Sequence, residues 1–261
     1  LDGHQDSFFS LTEAMVMMYI YNLNPPVMKT LLRVILPVLF AIVFISGVKA
    51  QSPVIGAWKS ASGNTTSLML ITSGYFSITT YDATGFKSTM GGTWEGTRDD
   101  GGTTTIEFNS ADSSQVGTRP DAAVSFEGDN LITSLGDHRT TWTRIDDGNS
   151  PMAGVWQITG RENNGTMNVM KPGDRKTIKI LTGSKFQWVA MNTKTGQFSG
   201  TGGGTYTFEN GVYTETIEFF SRDNSRVGAT LTFKGSVSGD KWDHSGKSSK
   251  GDPIHEEWTR R

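Results

Sequence analysis

The chain has 261 residues, and its 24 basic and 26 acidic side chains leave a net charge of −2 with no long basic run, so it carries no electrostatic footprint for nucleic acid. Cysteine is absent, which excludes disulfides, thiolate metal ligands, a cysteine nucleophile and the lipidated cysteine of a bacterial lipoprotein. Glycine is abundant at 31 residues, set in short turns between Thr-, Ser- and aromatic-rich runs, which is the punctuation of a β protein.

The first element in chain order is an export signal. Met28-Lys29-Thr30 and Arg33 form a short positive region, the apolar run Val34 to Val48 follows, and Val48-Lys49-Ala50 places small residues three and one positions before a cut. The run is shorter than the ~20 residues of a membrane-spanning helix. The reading is therefore cleavage after Ala50 and a periplasmic or secreted protein of Gram-negative type, with the membrane met only through this segment; the alternative is an uncleaved anchor. Leu1 to Val27 would lie upstream of the true start at Met28. Residues 1–50 are set aside from the fold.

The remainder is one pattern written twice. Pro53-Val54-Ile55-Gly56-Ala57-Trp58 returns as Pro151-Met152-Ala153-Gly154-Val155-Trp156, and Leu70-Ile71-Thr72-Ser73-Gly74-Tyr75-Phe76 as Ile180-Leu181-Thr182-Gly183-Ser184-Lys185-Phe186. Gly91-Gly92-Thr93-Trp94 matches Gly203-Gly204-Thr205-Tyr206, and Thr105-Ile106-Glu107-Phe108 matches Thr216-Ile217-Glu218-Phe219. Thr140-Thr141-Trp142-Thr143-Arg144 closes the first copy as Glu256-Glu257-Trp258-Thr259-Arg260 closes the second. The copies span residues 51–145 and 151–261, joined by the polar linker Asp146-Asp147-Gly148-Asn149-Ser150.

Each copy reads as about eight short strands. In the second they fall near 154–159, 176–181, 185–191, 200–208, 212–220, 228–237, 241–245 and 254–260. Asn210-Gly211 is a type I′ hairpin signal, and Ser238-Gly239-Asp240 and Thr195-Gly196 turn two further pairs. Sequential hairpins in so short a copy predict an up-and-down meander closed into a small barrel, which removes exposed edges.

At Gly56-x-Trp58 and Gly154-x-Trp156 the sequence resembles the lipocalin and wider calycin superfamily. The resemblance implies that an arginine from the last strand packs over each Trp at the closed barrel end, and Arg144 and Arg260 are the positional candidates; the Trp58, Arg144, Trp156 and Arg260 roles are structural. The second copy is also similar to secreted lipocalin-like domains of Gram-negative bacteria with no assigned function, on Phe186-Gln187-Trp188, Gly202 to Tyr206, Tyr213 to Phe220, Trp242 to Gly246 and His255 to Trp258. That similarity covers most of residues 151–261 and is looser in the first copy. It implies the fold and export, and brings no chemistry.

The copies differ in their polar and aromatic residues. Thr104 stands where the second copy has Glu215, Thr133 opposite His244, Leu131 opposite Trp242, Ile78 opposite Trp188, Thr141 opposite Glu257 and Arg139 opposite His255. Strand alternation predicts that Glu215 shares an inward face with Ile217 and Phe219. The candidate ligand-binding set is thus Trp188, Tyr206, Tyr213, Glu215, Trp242, His244, His255 and Glu257, all in the second copy. As a pocket, its aromatic walls would hold a small hydrophobic or amphipathic molecule, oriented by Glu215 and His244. The alternative is a barrel filled by these side chains, with a structural or surface-recognition role toward glycan or protein. A metal or catalytic site in the second copy is the third reading. His244, His255, Glu215 and Glu257 are suitable ligand types, but no compact zinc motif, P-loop, G-x-S-x-G or H-E-x-x-H is present, so no catalytic residue, metal ligand or cofactor is assigned. Asp99-Asp100 and Asp146-Asp147 read as turn residues and His138 as solvated.

Overall fold

The computed structural model describes residues 53–97, 101–135 and 138–261; the export signal and the Asp99-Asp100 turn lie outside the described residues. The rest is all-β. The first half forms β1 (Gly56–Ser62), β2 (Thr65–Thr72), β3 (Tyr75–Asp82), β4 (Gly85–Thr97), β5 (Gly101–Asn109), β6 (Asp121–Glu127), β7 (Asn130–Leu135) and β8 (His138–Asp146). These strands pair antiparallel in sequence order and close through β1 against β8. The second half repeats this with β9 (Gly154–Asn163), β11 (Arg175–Leu181), β12 (Lys185–Asn192), β13 (Gln197–Glu209), β14 (Val212–Phe220), β15 (Thr230–Ser238), β16 (Lys241–Lys247) and β17 (Pro253–Arg260), closing through β9 against β17. All eight strands expected there are present. An unforeseen short strand, β10 (Thr166–Val169), pairs with the far part of β9. It arises because the segment 170–174 interrupts what is the single strand β2 in the first barrel.

The turns obey their residue chemistry: Asn210 and Gly211 both have positive φ, 52° and 76°, as a type I′ hairpin requires. Both barrel ends are closed alike. The Trp58 and Trp156 indole N–H groups each donate at 2.8 Å to the carbonyl four residues earlier, Val54 and Met152. The Arg144 guanidinium lies 3.9 Å over the Trp58 ring, and Arg260 lies 4.1 Å over Trp156. Each arginine then donates to carbonyls of the segment before its own β1-type strand, Arg144 to Ile55 and Pro53, Arg260 to Ala153 and Pro151. The stack fixes the cation over the indole face.

One irregularity in both copies governs how the barrels meet. Gly91 pairs with Phe108 but Gly92 with Ile106, and Gly203 pairs with Phe219 but Gly204 with Ile217, so Glu107 and Glu218 are the extra residues of β-bulges. A Cβ on Gly92 would stand 1.9 Å from the Thr105 carbonyl oxygen, and on Gly204 2.0 Å from that of Thr216; the bulges need glycine. The bulge breaks the alternation, so Phe219 does not share the inward face of Glu215 and Ile217 as simple parity predicts. Phe108 and Phe219 instead join a buried cluster with Leu68, Leu70, Ile178, Ile180, Val189 and Met191, drawn from both barrels.

That contact has pseudo-twofold character, because equivalent positions meet each other. Phe86 and Phe198 stack at 6.2 Å and 7°. Gln187 Nε2 donates to Thr89 at 2.9 Å and to its counterpart Thr201 at 3.0 Å. Gly85 approaches Asn224 of the second barrel as Gly196 approaches Ser113 of the first. The two bulge glutamates anchor the rim. Glu107 accepts from Tyr75 at 2.8 Å and pairs with Lys176 and Arg261, while Glu218 accepts from Tyr81 at 3.1 Å and pairs with Lys185. In the linker, Asp146 accepts from Ala57 N of the first barrel and from Gly183 N, Ser184 N and the Thr182 hydroxyl of the second. An isologous face of this kind is what symmetric dimers use, built here within one chain.

Candidate functional site

The two barrels have the same frame and opposite interiors. In the second, the inward side chains fill the space. Tyr213 is fully buried and makes ring contacts with Phe186, Tyr206, Phe233, Trp242 and His244 at centroid distances of 5.1–6.4 Å. Trp156, Trp242 and Trp258 continue the cluster, with Trp156 edge-on to Trp242 at 5.6 Å. Buried among these rings is Lys179, whose Nζ is 3.1 Å from Glu215 Oε2. A second pair, Arg161 and Glu256, is 2.5 Å apart at the edge of the same interior. His244 Nδ1 lies 3.7 Å from Glu256 Oε2, beyond hydrogen-bond reach, so the two form an ion pair only when the ring is protonated. Neither His244 ring nitrogen, nor the Tyr213 hydroxyl, nor the Trp242 and Trp258 indole N–H has a hydrogen-bond partner.

In the first barrel the corresponding volume is open. A cavity of about 80 Å³ is lined by residues of this barrel that include Val54, Met69, Trp94, Thr104, Ala122 and Thr133, together with Ala123 and Ser134. Strand registers explain the difference position by position. Trp58 pairs with Met69 as Trp156 pairs with Lys179; Trp94 pairs with Thr104 as Tyr206 pairs with Glu215; Val124 pairs with Thr133 as Gly235 pairs with His244. By the same registers Gly102 stands for Tyr213 and Ala122 for Phe233. Exchanging Tyr for Gly, Phe for Ala, Glu for Thr and His for Thr removes side-chain volume and charge together, and what is left is hollow and uncharged. Three polar groups at its wall are bonded: Trp94 Nε1 donates to Thr72 O at 3.0 Å, the Thr104 hydroxyl to Pro120 O at 2.8 Å, and the Thr133 hydroxyl accepts from Trp142 Nε1 at 2.8 Å. Beside the cavity, β5 and β6 form regular pairs only at Gly102–Ala122 and Thr103–Asp121, whereas β14 and β15 pair from Val212–Lys234 through Thr216–Thr230. Pro120, opposite Thr104, brings no N–H to that seam.

The residues singled out from sequence divide as follows. Tyr206, Tyr213, Glu215, Trp242 and His244 are buried together inside the second barrel, and Trp188 packs half-buried at the edge of the cluster, edge-on to Phe220 at 5.5 Å. His255 and Glu257 are on the outer face. His255 bridges Glu162 at 2.7 Å and Asp243 at 2.8 Å, tying the β9–β10 hairpin to β16, and Glu257 is exposed. Sequence reasoning did not find Lys179, Arg161 or Glu256, nor the cavity of the first barrel. Among the described residues no three His, Asp or Glu side chains come together as a metal site.

The electrostatics of the filled interior follow from burial. Burial pushes the His244 imidazole below its usual value, helped by the Lys179 ammonium and opposed by Glu256, so the ring is neutral at pH 7. Burial alone would raise the Glu256 carboxyl, but neighbouring His244 and the Arg161 and Lys179 cations outweigh it and hold it down at about 2. Burial and then the Glu215 charge push the Tyr213 phenol well up. On the surface, Asp243 and then Glu162 raise His255.

These shifts set the pH dependence. A depressed carboxyl contributes stability above its unfolded value near 4.5 that is lost as pH falls toward about 2. His244 acts in the same sense from about 6.5 downward, because the unfolded chain takes up the proton first. His255 acts oppositely, adding stability below about 6.5 that is lost as pH rises through its raised folded value. Urea midpoints measured from pH 7 to pH 2 should fall most steeply below pH 4.5, and Glu256→Gln should flatten that limb. An unchanged acid limb in Glu256→Gln would contradict the assignment.

Residues 151–261 match the model of a family described as a domain of unknown function, DUF4488. The chain is also similar to a lipocalin-like protein from Bacteroides uniformis, solved by crystallography, at 14% identity over 43% of this chain and 100% of that one, with a TM-score of 0.33. No curated protein matches. The chain is a tandem of two closed, eight-stranded antiparallel barrels, and the second, residues 151–261, matches the model of the DUF4488 family.

Proposed function

We propose that this protein binds a small, neutral, apolar molecule or a slim alkyl group inside its first barrel, and that the second barrel is a solid partner that buttresses it. The cavity between Trp94, Thr104 and Ala122 carries this reading, since those positions are opened by residue exchange while the frame is kept. The wall has no ionisable side chain and the side-chain polar atoms of Trp94, Thr104 and Thr133 are already bonded, so a charged headgroup drawn in would lose its hydration without a counter-charge and has to remain outside. Apolar cavities of somewhat larger size, about 150 Å³, take up benzene or xenon. The short β5–β6 ladder, with regular pairs only at Gly102–Ala122 and Thr103–Asp121, supports an entry path beside the cavity. This reverses the sequence expectation, which put the ligand among the aromatics of the second copy; there the filled interior supports the structural reading instead. The signal pattern at Met28 to Ala50 adds a periplasmic or extracellular setting to the proposal.

The test is a melting-temperature series on the protein with 1-octanol, octanoate and octylammonium. A rise with 1-octanol that exceeds both charged counterparts is expected. No response to any of the three, or a stronger response to a charged one, would count against a neutral apolar site.

A further inference from the structure

Lys179 is an unusual core residue, and its surroundings are specific. Its ammonium lies 4.8 Å from the ring centroid of Tyr213, 5.2 Å from Trp242, 5.7 Å from Phe186 and Trp258 and 5.8 Å from Phe233, with Glu215 Oε2 at 3.1 Å. An ammonium within about 6 Å of an aromatic face is attracted by the ring quadrupole, and the attraction grows when water is excluded. Several rings converging on one cation, closed by a carboxylate, form the kind of site by which proteins recognise free organic ammonium ions. Packing alone does not demand a lysine here, because the first barrel holds Met69 at the same register position.

We infer that the second barrel contains an organic-ammonium binding site whose occupant is the chain's own Lys179, tethered through its alkyl stem. The ligand class is a primary ammonium on a short unbranched stem. The site is distinct from the cavity proposed for ligand binding in the first barrel, and its test is independent of that one.

Shortening the occupant should make the site accept a free one. In the full chain, Lys179→Ala removes Cγ to Nζ, the atoms of n-propylammonium. Adding n-propylammonium should raise the melting temperature of Lys179→Ala by several degrees and leave the unsubstituted protein unchanged. 1-Propanol, the neutral counterpart of the same length, should do much less, and Glu215→Gln in the Lys179→Ala background should reduce the ammonium response at least threefold. Equal rescue by propanol and propylammonium would reduce the site to an apolar hole and overturn the inference, as would no rescue by either. If Lys179→Ala does not fold, NMR of the unsubstituted protein decides: the Lys179 Hε resonances should be displaced upfield by the surrounding rings. Random-coil Hε shifts would overturn the inference.

Discussion

Lys179→Met should destabilise the protein by about 3–5 kcal/mol, although methionine is the residue the first barrel uses at that position. The substitution keeps the volume but leaves the Glu215 carboxylate buried, 8% exposed, with its cation gone. Tyr213 offers only a neutral hydroxyl, and His244, neutral because burial holds its imidazole down, would have to take up a proton against that burial to replace the ammonium. The loss therefore measures an uncompensated buried charge rather than the worth of the ion pair. The double variant Lys179→Met/Glu215→Thr, which copies the Met69 and Thr104 of the first barrel, should recover all but about 1–2 kcal/mol, since replacing both members of a buried pair is often nearly neutral. Urea unfolding of the two variants checks this. A double variant as unstable as the single would mean that the interior depends on Glu215 for something other than pairing with Lys179.

Ala122→Phe should abolish the response to 1-octanol, weakening it at least ~10-fold. The substitution restores at its register position the Phe233 that plugs the second barrel, and it projects into the cavity beside Thr104 and Thr133. Its effect on stability should be small, within about 2 kcal/mol, because burying an added ring is favourable while any overpacking costs a similar amount. Gly102 is the wrong place for the same experiment: a Cβ there would lie 2.4 Å from the Glu95 carbonyl oxygen. Loss of ligand response without loss of fold is the expected signature in parallel thermal melts. A full response in a folded Ala122→Phe protein would place the ligand elsewhere.

The architecture was largely legible because the repeat supplied two readings of every strand. Gly-x-Trp, the glycine pairs and Asn210-Gly211 are local signals with local physical causes, and they placed strands and turns correctly. The inward orientation of Glu215 was legible from strand alternation, since β14 keeps strict alternation up to the bulge. Phe219 was not, because the bulge at Glu218 depends on the partner strand's Gly203-Gly204 and so on pairing, which alternation within one strand does not encode. Lys179 was hidden by its neighbours. Between Ile178 and Ile180 it reads as the solvent side of a half-buried strand, yet the isoleucines face the other barrel and the lysine faces inward. The first copy held the corrective signal: Leu68-Met69-Leu70-Ile71 is apolar on both faces, as expected of a strand buried on both sides. The cavity was missed because aromatic and ionisable residues draw the eye in the sequence, whereas open volume is left by the small residues Gly102, Thr104, Ala122 and Thr133 that stand in their place.

The central claim, a hollow first barrel beside a filled second one, is tested most directly by diffraction from crystals of the protein held under xenon. Xenon should appear inside the first barrel, bounded by Trp94, Thr104 and Ala122, and not within the ring cluster around Tyr213. A xenon peak in the second barrel, or none in the first, would contradict the account.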